Sequence, residues 1–286
     1  MSEVQNIIGV DMGGTNIRAG KIVDQKIIRT AREATPSAGT QSEVLEKLFL
    51  VIDSLLDSNT QSIGIGVPSI VDVEKGIVYD VVNIPSWKIV PLKKILENRY
   101  KVPVYVNNDA NCFALGEKYF GKAKPYKNIV GLTLGTGMGS GLIFNGKLYE
   151  GVNCCAGEFG NIPYLKSNYE YYCSGQFFTD EKGTTAVDAY NQAMLDDPAA
   201  LQQFSEFGFH LGQAIKSILY AYDPEIIILG GSLTKAYEFF KPDMYNSLLD
   251  FAYRNVLTHL KIEISQLENS AIYGAAALYL NSSKNT

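Results

Sequence analysis

Apolar residues fall in short blocks along this chain, and the blocks change spacing in a regular way. Residues 6–11 (NIIGVD) are an apolar run ending on Asp11, followed by Gly-Gly-Thr and then IRAGKIVDQKIIRTARE. Such runs predict strand, glycine turn, strand, short turn and third strand. Residues 40–58 carry apolar positions at helical spacing, with Thr40 or Ser42 as N-cap. An apolar strand, SIGIGVPSIVD, stops at Pro68, and a helix is expected near Pro91–Arg99. Residues 102–107 read as a short buried strand, with a helix opening immediately after it at NNDANCFALGEKYFG. The next strand is KNIVGLTL (127–134), and Asn145–Gly146 between apolar runs signals a two-residue hairpin. A long amphipathic helix covers 197–222, and EIIILGG is a buried strand closed by two glycines. A helix near Pro242–Val256, a strand at Lys261–Ser265 and a helix in the alanine-rich SAIYGAAALYL complete the pattern. Strands alternating with helices in this way predict an α/β protein with a mixed sheet covered by helices. The renewed β start near Phe120–Tyr126 divides the chain into an N-terminal domain, 1–120, joined by the helix 270–286, and a C-terminal domain, 121–269.

Glycine is concentrated where the strands turn. Residues 131–160 hold nine of the 26 glycines, with Gly135, Gly137, Gly139 and Gly141 alternating through two strands and their turn. Glycine weakens a strand, so such a run marks either a flexible surface hairpin or a close backbone approach to a ligand. A turn with several outward N–H groups cradles an anion. The chain opens with a similar device, DMGGTN at 11–16, and has a third glycine turn at Gly230–Gly231. Asp11 at a strand end suits either a turn cap or a cleft ligand. Asn108 and Asp109 sit at a strand-to-helix junction, where capping is the ordinary role of both residue types. One acceptor suffices for a cap, however, and Asn107, Asn108, Asp109 and Asn111 crowd there together. Strand C-termini in α/β folds are also where ligands bind.

Composition narrows the classes. The net charge is −5 with no block of like charge, which argues against a nucleic-acid surface. No apolar run approaches the ~20 residues of a membrane span, and MSEVQNIIGVDMGG has no signal-peptide pattern, so a cytoplasmic protein is expected. The four cysteines, Cys112, Cys154, Cys155 and Cys173, form no CxxC pair, and neither a disulfide framework nor a metal cluster with His210 and His259 is expected. His210 falls in a helical run and reads as a structural residue.

Taken in order, DMGGTN at 11–16, NNDAN at 107–111, LTLGTGMGSG at 132–141, AGEFGN at 156–161 and ILGGS at 228–232 resemble the motifs of the ROK family. That family contains glucokinase-like bacterial sugar kinases and sugar-responsive repressors. The resemblance covers nearly the whole chain. It implies the two-domain actin/hexokinase-like (ribonuclease H-like) ATPase fold, with a cleft between the domains, and a homodimer. Only ten residues precede Asp11, fewer than the helix-turn-helix of the repressor members needs. Carried over by position, Asp109 is the general base that deprotonates a sugar hydroxyl. Asp11 helps hold Mg²⁺ through water. Gly13, Gly14, Thr15, Thr136 and Gly137 contact ATP phosphates, and Gly230, Gly231 and Ser232 lie against the nucleoside. Asn108, Asp109 and Glu158 bind sugar hydroxyls.

The chain departs from the family at its zinc motif. The family's His three residues after the Glu of the GE motif is Asn161 here. Aligning CSGQFFTD with the family's CxCGxxGCxE places Tyr171 and Phe178 at two cysteine positions, Cys173 at another and Asp180 at the final Glu. One thiolate cannot close a tetrahedral site, so no zinc is expected, and Tyr169, Tyr171, Tyr172, Phe177 and Phe178 are expected to hold the loop by packing. In the family the replaced His and Glu also bind sugar hydroxyls; Asn161 would take over the first contact, and Asp180, one methylene shorter than Glu, would either leave a gap or accept through water. The resulting expectation is ATP-dependent phosphorylation of glucose or a related hexose, N-acetylated hexoses included. The alternative is a sugar-binding sensor of the same fold without turnover.

Overall fold

The computed structural model describes residues 5–283. The chain forms two compact units. The first takes the chain up to Pro125, Gly141–Ala156 and the chain from Gln266; the second takes Tyr126–Ser140 and Gly157–Ser265. Grouping Gly141–Ala156 with the first unit differs from the 121–269 division expected from sequence, and Gly141 gives the reason. A β-carbon there would lie 2.5 Å from the Ala110 carbonyl oxygen, so this strand rests directly on the helix Asp109–Tyr119.

In the first unit five strands pair in the order Lys26–Ala34, Asn16–Val23, Asn6–Met12, Ser62–Val67, Val104–Asn108. The first three are antiparallel and the last three parallel. The helix Gln41–Asp53 starts with a capping box: the Thr40 N–H donates to the Glu43 carboxylate at 2.6 Å, and the Glu43 N–H donates back to the Thr40 hydroxyl at 3.3 Å. Its buried positions, Val44, Leu48, Val51 and Ile52, share a core with Ile8, Val10, Ile63 and Ile65. The C-terminal helix Ser270–Ser283 comes unusually close both to the sheet and to the helix Asp109–Tyr119. A β-carbon on Gly64 would fall 1.8 Å from the Ala275 carbonyl oxygen, and one on Gly274 would fall 1.9 Å from that of Cys112. Backbone meets backbone there, and only glycine leaves room.

The sheet containing the glycine hairpin has the order Lys147–Leu148, Met138–Phe144, Ile129–Leu134, Ile226–Gly230, Lys261–Ile264, the same sequence-order pattern as the first sheet. Its last three strands are parallel. Asn145 (φ 51°) and Gly146 (φ 81°) both take left-handed backbone, as a type I′ hairpin turn requires. The long helix Pro198–Tyr222 begins with Asp197 accepting the Ala200 N–H at 2.9 Å and proline in its first turn. The helix expected near Pro242–Val256 is instead two, Tyr237–Leu248 and Arg254–His259. Proline ordinarily opens a helix. Here a short 3₁₀ turn, Ser232–Ala236, starts the winding earlier and leaves Pro242 inside, where it removes the N–H that would bond the Glu238 carbonyl.

Candidate functional site

Asp11 lies next to the end of its strand, directly across from Arg18, and the two side chains form an ion pair. Asp11 is 13% exposed and Arg18 50%, so the carboxylate is fixed while its partner reaches toward solvent. The following turn is closed by the Gly13 N–H donating to the Asn16 carbonyl at 2.9 Å. Thr35 holds it from behind, its hydroxyl donating to the Gly13 carbonyl at 2.7 Å and its N–H to that of Thr15 at 3.0 Å. Among the described residues no protein acceptor takes the N–H of Gly14 or Thr15. Gly14 tolerates no side chain, since a β-carbon would meet that of Asn83 at 2.3 Å.

The asparagine cluster divides its labour. Asn108 caps the helix Asp109–Tyr119, accepting the N–H of Ala110 at 2.8 Å and of Asn111 at 3.3 Å, while its amide donates to the Ser69 carbonyl at 3.3 Å. Asp109 is the first helical residue, and its carboxylate accepts the Ala110 N–H at 2.9 Å. Asn107 and Asn111 are buried behind this junction. The Asn107 side-chain oxygen Oδ1 accepts from the Asn108 N–H at 2.8 Å and the Asn111 side-chain amide at 2.9 Å, and its own side-chain amide donates to Glu150 at 2.5 Å. Burial pushes the Glu150 carboxyl above its ordinary range, against the pull of that amide. A cavity of about 580 Å³ opens beside the cluster, lined by Ile70, Asp72, Tyr79, Glu150, Asn153 and Cys154 among others. Neither Asn107 nor Glu150 stands out in the sequence as more than one polar residue in a cluster.

In the second unit the Gly135 N–H closes its own turn on the Gly137 carbonyl at 3.0 Å, and the Met138 N–H donates to Glu170 at 3.0 Å. Among the described residues the N–H groups of Thr136 and Gly137 have no protein acceptor. The arrangement matches the first turn: one N–H shuts the loop and two consecutive ones have no protein acceptor among the described residues. Gly231 follows the strand Ile226–Gly230 with φ 89°, and a β-carbon there would fall 2.2 Å from the Leu134 carbonyl oxygen. Two adjoining cavities lie here. One, about 230 Å³, is bounded by Gly135, Thr136, Gln176, Thr179 and Ser232; the other, about 240 Å³, by Val187, Tyr190 and Ala236. Ala186, Ser232 and Leu233 line both.

Glu158 accepts from the Asn161 amide at 2.9 Å. Desolvation raises its carboxyl, Asn161 opposes that shift, and the negative charge of Glu170 adds to it. Asp180 lies on an exposed stretch with its carboxylate taken by the Thr179 hydroxyl at 2.7 Å. Among the described residues no hydrogen bond joins it to Glu158 or Asn161. The structure thus pairs Glu158 with Asn161, while the Asp180 carboxylate bonds to Thr179.

Aromatic packing fills the loop that carries the altered cysteine motif. Phe178 and Phe177 are buried against Phe204 and Phe207, with Phe178–Phe204 centroids 5.0 Å apart. Tyr164 stacks on Tyr169 at 4.5 Å and its hydroxyl meets His210 Nδ1 at 3.0 Å. Tyr172 lies 4.8 Å from the His210 ring, whereas Tyr171 is only half-buried and donates to Glu181. Cys173 is fully buried, which pushes its thiol far up and away from the thiolate that a metal would bind. No group of three or more His, Cys, Asp or Glu among the described residues is placed to hold a metal ion.

Comparison with known proteins places these features in a family. Residues 7–282 match the family model of the ROK family. A glucokinase of Halalkalibacterium halodurans is 31% identical, over 92% of this chain and 91% of that protein. A xylose repressor of Bacillus subtilis is 29% identical, over 96% of this chain and 76% of that protein. The crystal structure of a ROK family glucokinase from Streptomyces griseus, in complex with glucose and AMPPNP, superposes with a TM-score of 0.80 at 27% identity, covering 96% of this chain and 98% of that one. The fold is the two-domain actin/hexokinase-like α/β fold, and the chain belongs to the ROK family.

Proposed function

We propose that this protein is an ATP- and Mg²⁺-dependent sugar kinase acting on glucose or a related hexose, N-acetylated hexoses included. The observation that carries the reading is the pair of glycine turns, each with two consecutive N–H groups that no protein acceptor takes among the described residues. Outward backbone donors of this kind stabilise the charge of a transferring phosphoryl group without reorganising. The likeness to glucokinases supports it further. In the reaction a sugar hydroxyl oxygen forms a bond to the γ-phosphorus as the bond to the β–γ bridging oxygen breaks and ADP leaves. Asp109 takes the hydroxyl proton as the bond forms. Asn108, Glu158 and Asn161 hold neighbouring hydroxyls, and Asp180 reaches substrate only through water or by turning from Thr179. Thr136 and Gly137, with Gly14 and Thr15, bind phosphate oxygens through their N–H groups. The apolar cavity beside Leu233 and Tyr190 takes the base, with Gly230, Gly231 and Ser232 along the nucleoside.

Asp11 suits Mg²⁺, because a hard ion that keeps most of its waters needs one or two carboxylates rather than a protein cage. When bound, the ion would neutralise charge on the phosphate chain. Among the described residues no helix is long and apolar enough to cross a membrane, and a cytoplasmic homodimer accords with this reading. Light scattering of the purified protein tests the dimer.

The deciding experiment is ADP release by the purified protein across a panel of hexoses and N-acetylhexosamines. Sugar-dependent release is expected, and Asp109→Asn should lower kcat by about 10²–10⁴-fold, the usual worth of a general base. No release with any sugar would sink the kinase reading. The position of Asp180 and the likeness to a repressor favour a second reading, a sugar sensor without turnover. Calorimetric sugar binding with no ADP release would select it.

A further inference from the structure

Glu170 belongs to none of the five motifs, yet it touches both turns that bracket the exit of the glycine hairpin. One carboxylate oxygen accepts the Met138 N–H at 3.0 Å; the other accepts the Gln176 amide at 3.2 Å. The first oxygen lies 2.5 Å from where a β-carbon on Gly137 would stand, so the carboxylate occupies the space that the missing side chain leaves. On its other flank Gly160, in the turn Phe159–Asn161, packs against the Met138 carbonyl and the Glu170 β-carbon, at 2.5 and 3.4 Å from its own would-be β-carbon. The short helix Tyr169–Tyr172 that carries Glu170 is well anchored. Asn168 accepts the Tyr171 N–H at 2.9 Å, and the Tyr169 hydroxyl meets that of Ser217 at 2.8 Å.

These contacts decide which donors the second glycine turn offers. Gly135 spends its N–H within the turn, and Glu170 takes that of Met138, a residue only 3% exposed. Thr136 and Gly137 are left with N–H groups that no protein acceptor takes among the described residues. Without Glu170 the Met138 N–H would be a buried donor lacking its acceptor, and the turn would relax to satisfy it. A fixed negative charge beside a phosphate site is otherwise unfavourable, so Glu170 contributes there through its hydrogen bonds rather than its charge.

We propose that Glu170 is a positioning residue of the nucleotide site, holding the Gly137–Met138 backbone so that Thr136 and Gly137 present their N–H groups to the ATP phosphates. The proposal rests on the kinase reading above. Glu170 touches no substrate atom itself, so its signature is a split between substrates and a rescue by shape.

Steady-state kinetics and AMPPNP calorimetry on the whole protein test this. Glu170→Ala should raise the KM for ATP and the AMPPNP Kd by about ten- to a hundredfold, the range expected when a buried donor loses a charged acceptor. The KM for sugar should change by less than about threefold, within ordinary mutational scatter. Glu170→Gln keeps an oxygen for the Met138 N–H and should restore near-native ATP affinity. It also removes the charge that helps raise Glu158, so the acid limb of the pH profile of kcat/KM for sugar should move to lower pH. If Glu170→Ala does not fold, Glu170→Asp draws the oxygen back by one methylene and should show the ATP defect. Native ATP affinity in Glu170→Ala or, where that variant does not fold, in Glu170→Asp, or equal loss in Gln and Ala, would overturn the proposal while leaving the kinase reading intact. Failure of the unaltered protein to bind AMPPNP or release ADP would instead remove the kinase reading.

Discussion

Replacing Phe178 by alanine tests whether aromatic packing holds the loop where other family members place zinc. The ring is fully buried, with centroids of Phe177, Phe204 and Phe207 at 5.2, 5.0 and 5.6 Å. An aromatic side chain buries about 150–250 Å², worth about 4–6 kcal/mol at about 25 cal/mol per Å². Residual compaction of the unfolded chain trims that by about 10–40%, and the cavity left behind restores part of the loss. The outcome should fall at about 3–5 kcal/mol, as for other Phe→Ala changes in cores. For a unit of this size each kcal/mol moves Tm by about 4 °C, so the melt should drop by about 12–20 °C. Near-ultraviolet circular dichroism without nucleotide reads the transition directly, since the rings report on their own packing. The native melt should be unchanged by EDTA. A Phe178→Ala drop below about 4 °C, or a native protein that melts early in chelator, would refute packing as the support of this loop.

Two further outcomes follow from single residues. Burial holds the His210 ring below its ordinary pKa of 6.5, so the unfolded chain takes up the proton first. Stability from this residue is therefore complete above about pH 6.5 and is lost as pH falls through that value toward the lower folded pKa; Tm measured against pH should show the loss, and His210→Gln should flatten it. Gly231→Ala forces a side chain into left-handed backbone and onto the Leu134 carbonyl. About 2–4 kcal/mol of destabilisation in urea titration is expected from strain and overpacking together, and an unchanged midpoint would mean that the turn is not as tight as its geometry indicates.

Features written in adjacent residues were readable in advance. The N-cap at Thr40, one of two candidates with Ser42, the start of the long helix at 197 and the Asn145–Gly146 turn each depend on a few neighbouring positions with a favoured backbone solution. Pro242 misled because its helix-opening preference is local, whereas the preceding 3₁₀ turn starts the helix earlier. The grouping of Gly141–Ala156 was equally hidden, since nothing near Gly141 in sequence says that its missing side chain makes room for Ala110.

The candidate site divides along the same line. Glycine turns and the Asn-Asp junction are local patterns, and they stood out. Asp180, by contrast, entered through alignment to a cysteine motif, which carries over position and says nothing of contact. In the folded chain Asp180 turns to its neighbour Thr179, while Glu170, ten residues earlier and in no motif, meets the Gly137–Met138 turn and lies close enough to Glu158 to raise its carboxyl. Its partner Met138 is 32 residues away, and at such a separation sequence spacing places no constraint on which carboxylate arrives. The glycine does record the meeting, because Gly137 is small where a carboxylate oxygen must fit. A glycine in such a turn therefore has two possible causes, a ligand or a neighbouring side chain, and at Gly137 the side chain is Glu170, beside an N–H that no protein acceptor takes among the described residues.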